Sequence, residues 1–139
     1  MAHFEGHYKL KSSENFDDFL STLGVNPLLR HIGIYTKPTL AISVTNGNHF
    51  KIKQSATAFK KYDLEFDIGK VFDNKTIDGR MVKSCVMLDD DRLIQTDLPV
   101  NTADEKICTF IREIDEDNNL VMTCKVNNVV SVRVYQRTI

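Results

Sequence analysis

The sequence predicts a mainly β fold, in which about ten antiparallel strands form an up-and-down barrel, or clam, under a helix-turn-helix lid. Helical periodicity occurs only near the start of the chain, and strand-like runs separated by turn residues follow it to the end. About ten such runs are more than a flat sheet of this size carries without closing on itself. The 139 residues are of ordinary single-domain size, so residues 1–139 are expected to form one domain.

The first predicted helix lies near the start of the chain. Asn15 is a candidate N-cap, and Gly24 is placed to end the helix. Between them, apolar residues recur at i, i+3, i+4 and i+7, the spacing of a buried helix face: Phe16, Phe19, Leu20 and Leu23.

A second helix is predicted directly after the first. Asn26 and Pro27 can cap and open it, and Pro38 stops the helical pattern, so the helix is expected to run to about Tyr35. Its expected apolar anchors are Leu28, Leu29 and Ile32. The two helices together form a short helix-turn-helix.

Turn residues divide the rest of the chain into strands. A first strand is predicted at residues 8–12, before the helices, and nearly everything after Thr36 is strand-like. Turns are predicted at segments rich in Asn and Asp: 46–48, 73–75, 89–91, 115–119 and 127–128. Together these features describe an antiparallel meander.

Composition and charge narrow the classes of function. Lys and Arg total 18 against 19 acidic residues, and this near balance gives no sign of a nucleic-acid partner. The longest apolar runs are far too short to cross a bilayer. Charge and imidazole occupy the N-terminal positions where a secretory signal would place apolar residues, so a cytoplasmic protein is expected.

The sequence contains no constellation that indicates catalysis, a metal site or a cofactor. The histidines lack metalloprotease spacing, and the cysteines are far apart, so they are interpreted as buried reduced thiols: Cys85, Cys108 and Cys124. No nucleophile elbow, phosphate loop or dinucleotide fingerprint occurs. A protein that is not an enzyme, with no metal and no cofactor, is expected.

Arginine falls in phase with aromatic residues on two strands near the C-terminus. Alternation places Arg112 on the same strand face as Phe110, and Arg133 on the same face as Tyr135. Inside a barrel these groups could form a fork of donors for a carboxylate. The alternative is a set of solvated residues paired with acids such as Glu113. Periodicity alone would instead bury the other face of the last strand: Val130, Val132 and Val134.

Motifs along the chain resemble the fatty-acid-binding type of the intracellular lipid-binding protein family. The longest combines GHYKL at 6–10, ENFDDFL at 14–20 and LGV at 23–25. Shorter matches run in order to the end of the chain, at 36–39, 46–47, 72–73, 78–80, 82–84, 112–113 and 133–135. The resemblance implies a ten-stranded barrel with a helical lid, enclosing a cavity that holds water and a bent fatty acid.

The resemblance also implies a site. By similarity, Arg112, Arg133 and Tyr135 bind the ligand carboxylate, which turns the polar face of the last strand inward and the valines outward. Asp78 and Arg80 resemble an interior polar pair of the family. The acyl chain is expected to meet cavity and portal residues: Phe16, Leu20, Phe59, Val82, Phe110 and Met122.

The chain departs from the family pattern at two places. Tyr8 stands where members usually have tryptophan, and the stretch 95–105 is longer than in many members. That stretch is expected to form an elongated hairpin, with Pro99 interrupting any strand there.

The resemblance implies non-enzymatic transport of one long-chain fatty acid per chain by a monomer. Transient contact with membranes is a further expectation, through lysines near the portal such as Lys37, Lys60 and Lys61. Two alternatives stay open: a carrier of retinoic acid or another hydrophobic carboxylate, and a barrel interaction module with no fixed ligand. An extracellular lipocalin is disfavoured, because no signal-like segment and no pairable cysteines occur.

Overall fold

The computed structural model describes residues 2–56, 61–100 and 106–138. Within them the chain forms a 3₁₀ helix (Ala2–Phe4), helices α1 (Phe16–Leu23) and α2 (Pro27–Tyr35), and ten strands. The strands are β1 (Gly6–Glu14), β2 (Thr39–Thr45), β3 (His49–Ser55), β4 (Lys61–Asp67), β5 (Phe72–Lys75), β6 (Met81–Asp89), β7 (Arg92–Pro99), β8 (Cys108–Ile114), β9 (Leu120–Val126) and β10 (Val129–Thr138).

The strands form one antiparallel sheet that curves into a nearly closed barrel. Their order is β4-β3-β2-β1-β10-β9-β8-β7-β6-β5, so β4 and β5 are the two ends of the ladder. Side chains bridge these ends, because the Tyr62 hydroxyl on β4 donates to Asn74 Oδ1 on β5 at 3.1 Å. The predicted ten-stranded barrel with two helices is confirmed. None of the helices in the described ranges combines the length and apolar character needed to span a bilayer.

Helix α1 has the predicted boundaries, but its N-cap differs from the expected one. Asn15 is left-handed, with φ 59°, and its side chain makes no capping hydrogen bond. Its amide instead donates to the Val130 carbonyl of β10 at 3.4 Å, which ties the start of the helix to the barrel. Gly24 ends the helix with φ 95°, a conformation that costs glycine little.

Helix α2 begins as predicted, with Asn26 Oδ1 accepting a hydrogen bond from the Leu29 amide at 3.0 Å. The expected anchors are wrong at two positions, since Leu28 is 70% exposed and Ile32 is 46% exposed. The physical reason is that α2 rests on α1 rather than on the sheet, and none of its residues is buried. Leu29 alone of the three packs against the apolar cluster beneath the lid.

Four of the five predicted turns are confirmed, and the turn at 73–75 is wrong. Those residues lie within β5, and the Asn74 side chain points into the barrel and is buried. The long stretch from Gln95 was also misjudged, because β7 continues to Pro99, which pairs with Val82. Residues 101–105 lie outside the described residues.

Two apolar clusters fill the ends of the barrel. The floor cluster is built around stacked rings, with Phe50 and Phe66 centroids 5.3 Å apart, and includes Tyr8. The lid cluster joins α1 to strands β8 and β9: Phe19, Leu23, Val25, Cys108, Cys124 and Val126. Met122 packs against both clusters. Buried polar residues share the same inward-facing strand surface.

Candidate functional site

Strands β8 and β10 place two arginines inside the barrel. Arg112 and Arg133 both pair with Met122 on the intervening β9, so they occupy one row of the sheet. Their backbones are two strand spacings apart, roughly 10 Å. The side chains are 8% and 4% exposed, respectively. Long guanidinium side chains at this separation can reach a common ligand group.

The polar face of β10 points inward and the valine face points outward. Ser131, Arg133 and Tyr135 are buried, whereas Val130 is exposed. The assignment from periodicity alone is therefore wrong for this strand, and the assignment from the resemblance agrees with the structure. Hydroxyl and guanidinium groups consequently line the interior next to the arginine row.

Arg133 is held by neutral groups. Its Nε donates to the Tyr135 hydroxyl at 3.3 Å and its Nη1 donates to Ser13 Oγ at 3.0 Å. Its guanidinium carbon lies 3.7 Å from the ring centroid of Phe16 on α1, a cation–π contact with the lid. Among the described residues no carboxylate forms an ion pair with Arg133.

Arg112 is held by an amide. Its Nη1 donates to Gln95 Oε1 at 2.8 Å. Burial lowers the pKa of the Arg112 guanidinium, and the nearby acidic groups of Cys124 and Asp97 oppose that shift. An arginine keeps its charge under such desolvation, which is why it suits an interior anion site better than lysine.

A row of hydrogen-bonded polar side chains, here called the polar ladder, runs from Arg112 across the barrel wall to β4. Gln95 Nε2 and Ser84 Oγ both donate to Asp97 Oδ1, at 2.9 and 2.6 Å. Asn74 Nδ2 donates to Ser84 Oγ at 3.2 Å, and the Tyr62 hydroxyl donates to Asn74. The polar ladder therefore comprises Tyr62, Asn74, Ser84, Asp97 and Gln95.

The sequence reasoning missed the polar ladder. Gln95 and Asp97 were assigned to a hairpin, although they share strand parity with Leu93, which is fully buried. That parity was the available signal, because an inward leucine places the second and fourth residues after it inward as well. Ser84 carries the same signal between the buried Val82 and Val86.

Asp78 and Arg80 form a separate pair in the β5–β6 turn. Arg80 Nε donates to Asp78 Oδ2 at 2.7 Å, and Thr76 Oγ1 donates to Asp78 Oδ1 at 2.6 Å. Burial raises the pKa of the Asp78 carboxyl, but these hydrogen bonds and the Arg80 charge outweigh it and hold the pKa below its ordinary value. Asp78 thus accepts its side-chain hydrogen bonds from Thr76 and Arg80 of the same turn, away from the arginine row.

The predicted apolar contacts are distributed between the lid and the wall. Phe16 and Leu20 lie half-buried on α1, with the Phe16 and Phe19 rings stacked at 6.0 Å. Val82 is buried on β6, and Phe110 and Met122 are partly buried and pack against the lid cluster. Phe59, like Lys60, lies outside the described residues.

The interior carries an excess of positive charge. The buried charged residues in the described ranges are Arg112, Arg133 and Asp97, which sum to +1 when all are ionised. Burying an unbalanced charge is costly, so the interior is complementary to one added negative charge. Within the described residues no group of three His, Cys, Asp or Glu side chains is arranged to hold a metal ion.

Comparisons with known proteins agree along the whole chain. A family model described as the lipocalin / cytosolic fatty-acid binding protein family matches residues 5–138. A fatty acid-binding protein of Clonorchis sinensis is 39% identical over 137 residues, 99% of each chain. The cellular retinoic acid-binding protein 2 of Rattus norvegicus is 33% identical over 139 residues, also 99% of each chain. A solved Schistosoma mansoni fatty acid binding protein, in complex with arachidonic acid, matches with a TM-score of 0.89 and 34% identity, covering 100% of this chain and 98% of that one.

Proposed function

Because the chain belongs to the lipocalin and cytosolic fatty-acid binding protein family, we propose that it binds one long-chain fatty acid inside the barrel and carries it through the cytoplasm. The role is transport rather than catalysis. In this proposal Arg112, Arg133 and Tyr135 bind the carboxylate, and the acyl chain contacts the apolar residues of the lid and wall.

The observation that carries the proposal is the unbalanced charge of Arg133. Arg133 is only 4% exposed, yet its guanidinium contacts two hydroxyls and the rings of Phe16 and Tyr135. A ligand carboxylate would supply the missing counter-charge and accept two parallel hydrogen bonds. Apolar contact along the chain would add about 0.8 kcal/mol for each buried methylene.

A monomer is proposed because the barrel nearly removes free sheet edges. Only β4 and β5 end the ladder in the described residues, and the Tyr62–Asn74 hydrogen bond joins them. A sheet whose two end strands meet each other presents less edge for another chain to pair with.

The test is titration of the delipidated protein with oleate, followed by native mass spectrometry. We expect saturation at one oleate per chain, weaker binding by the Arg112→Ala, Arg133→Ala double variant, and poor binding of oleyl alcohol. Lys125→Ala, on the outer face of β9, is the matched control and should bind oleate like the wild type. Equal binding of acid and alcohol, unchanged in the double variant, would make the arginines structural.

Retinoic acid is the second candidate ligand, supported by the similarity to a retinoic acid-binding protein. Retinoic acid carries the same carboxylate on a more rigid apolar body, so the positive charge of the interior does not distinguish it from a fatty acid. Competition titrations, in which retinoic acid displaces bound oleate and oleate displaces bound retinoic acid, compare the two affinities. A tighter retinoic acid complex would replace the fatty acid in this proposal.

Transient contact with membranes is proposed through the exposed face of α2. Leu28, Ile32 and Tyr35 are exposed at i, i+4 and i+7, and Lys37 follows the helix. Apolar side chains beside a positive charge suit an anionic bilayer surface. We expect Leu28→Ser, Ile32→Ser to weaken sedimentation with phosphatidylserine vesicles, and Met87→Ser on the barrel wall to leave it unchanged. Equal loss in both variants would refute this surface.

A further inference from the structure

We propose that Asp97 forms a second ligand subsite, which recognises a hydroxyl group on the acyl chain. The ligand class would then be a hydroxylated long-chain fatty acid. This inference rests on the proposed function, because the hydroxyl is presented by an acid whose carboxylate binds at the arginine row.

The subsite consists of one open oxygen of a buried carboxylate. Asp97 lies on the inward face of β7 and is 5% exposed. Both of its hydrogen bonds, from Ser84 and from Gln95, end on Oδ1. Oδ2 accepts no hydrogen bond from the residues that the structure describes. An ionised carboxylate has about four acceptor positions, so Oδ2 can accept a hydrogen bond from a ligand.

Asp97 lies on the path between the arginine row and the lid. Leu93 on β7 pairs with Arg112, and Asp97 stands four residues further along the strand, roughly 13 Å at about 3.3 Å per residue. Its partner on β8 is Cys108, which belongs to the lid cluster. An acyl chain that runs from the arginines toward the lid therefore passes Asp97 partway along its length.

The charge of the interior selects a hydroxyl over an ionised group. One carboxylate at the arginine row already brings the buried charges to zero, given Arg112, Arg133 and Asp97. A second carboxylate would face Asp97 as a like charge without a donor, and an ammonium group would restore the excess positive charge. A neutral O–H group donates to Oδ2 and leaves the balance unchanged.

The polar ladder fixes the open oxygen in position. Ser84 is fully buried and Gln95 is 3% exposed, and both hold Oδ1 from neighbouring positions. Gln95 in turn accepts from Arg112, so the carboxylate subsite and the proposed hydroxyl subsite share one hydrogen-bonded network. A site held this firmly loses little entropy on binding.

The test compares stearate with a series of hydroxystearates that differ in the carbon carrying the hydroxyl. Dissociation constants are measured by calorimetry on the delipidated full chain, for the wild type, Asp97→Leu and Asp97→Asn. For the best-placed hydroxyl, the preference over stearate should be about tenfold larger in the wild type than in Asp97→Leu, as a hydrogen bond to a charged group predicts. Asp97→Asn keeps the shape and loses the charge, so it should reduce the preference less.

The outcomes separate the inference from the proposed function. The same preference in the wild type and both variants, at every hydroxyl position, overturns the Asp97 subsite while fatty acid binding stands. No binding of stearate or of any hydroxystearate by the wild type overturns the proposed function itself. If Asp97→Leu does not fold, Asp97→Asn decides, since an unchanged preference there overturns the subsite.

Discussion

Replacing Arg133 with methionine should weaken oleate binding and stabilise the ligand-free protein. The guanidinium is buried and the described residues give it no carboxylate partner, so the free protein bears the cost of an uncompensated charge. Exchange of even a buried ion pair or triad for apolar residues of similar volume is often neutral or stabilising by about 1–4 kcal/mol. Loss of the cation–π contact with Phe16 takes back about 1 kcal/mol, so a net gain of about 0–3 kcal/mol is expected.

The same substitution removes one of the two positive charges of the proposed carboxylate site. Hydrogen bonds to a charged group contribute about 1.5–3 kcal/mol, so oleate affinity should fall by about ten- to 150-fold. Urea unfolding of the delipidated protein measures the first effect, and calorimetric titration with oleate measures the second. If Arg133 were purely structural, its replacement would lower the free energy of unfolding and leave oleate affinity unchanged.

Arg137→Met is the matched control on the same strand. Its guanidinium donates to the backbone carbonyls of His3, Glu5 and Asn118 and lies 4.7 Å from the Tyr8 ring centroid. Losing these bonds should lower the free energy of unfolding by roughly 2 kcal/mol, while oleate affinity stays the same. The reasoning is refuted if Arg133→Met destabilises the free protein as Arg137→Met does and still binds oleate normally.

Two further predictions concern titratable groups. Hydrogen bonds that the His49 ring donates to Asp67 and, second, to Glu65 raise the pKa of His49, so these two contacts should stabilise the fold below about pH 6.5 and lose that contribution as pH rises through the raised pKa. The difference in unfolding free energy between wild type and His49→Gln should therefore shrink from pH 6 to pH 9, and a constant difference would contradict it. Burial raises the pKa of Cys124 to about 12, so iodoacetamide at pH 8 should alkylate the partly exposed Cys85 well before it. Equal alkylation rates of Cys85 and Cys124, measured by peptide mass spectrometry, would contradict this prediction.

Features set by a few adjacent residues were predictable from the sequence. Asn26 and Pro27 open α2, and Gly24 closes α1, because caps depend on local backbone geometry. The turn at Asp90 and Asp91 was predictable for the same reason, since both adopt positive φ. Local chemistry therefore fixed the number and order of the elements.

Features set by distant contacts were not predictable in this way. Asn74 lies in a segment with turn chemistry, yet its amide bonds to Tyr62 and Ser84 on neighbouring strands hold it in β5. The exposed Leu28 shows the reverse case, where an apolar residue on a helix meets no partner. In both cases tertiary context decided against the local pattern.

Part of the candidate site could be predicted from the sequence. Arg112 in phase with Phe110 was visible from alternation, but the inward turn of Arg133 contradicts the rule that apolar faces are buried, and only the resemblance predicted it. Asp97 was hidden by the turn-rich sequence that follows it. The residues that sequence reasoning placed worst are thus the polar ones whose partners lie on other strands.

The inverted face of β10 connects the stability of this barrel to its function. Val132 and Val134 remain half-buried on the outer wall, so the strand keeps its β-branched residues while giving its inward positions to Arg133 and Tyr135. That exchange adds the Arg133 guanidinium of β10 to the Arg112 guanidinium of β8, so that two buried positive charges face the single buried carboxylate of the described residues, Asp97, in a low-dielectric interior. An anionic ligand removes the imbalance, whereas a neutral one of equal apolar area does not. The unbalanced charge destabilises the empty barrel. Because only an anionic ligand relieves that destabilisation, the barrel should bind an acid more tightly than an alcohol of the same chain length.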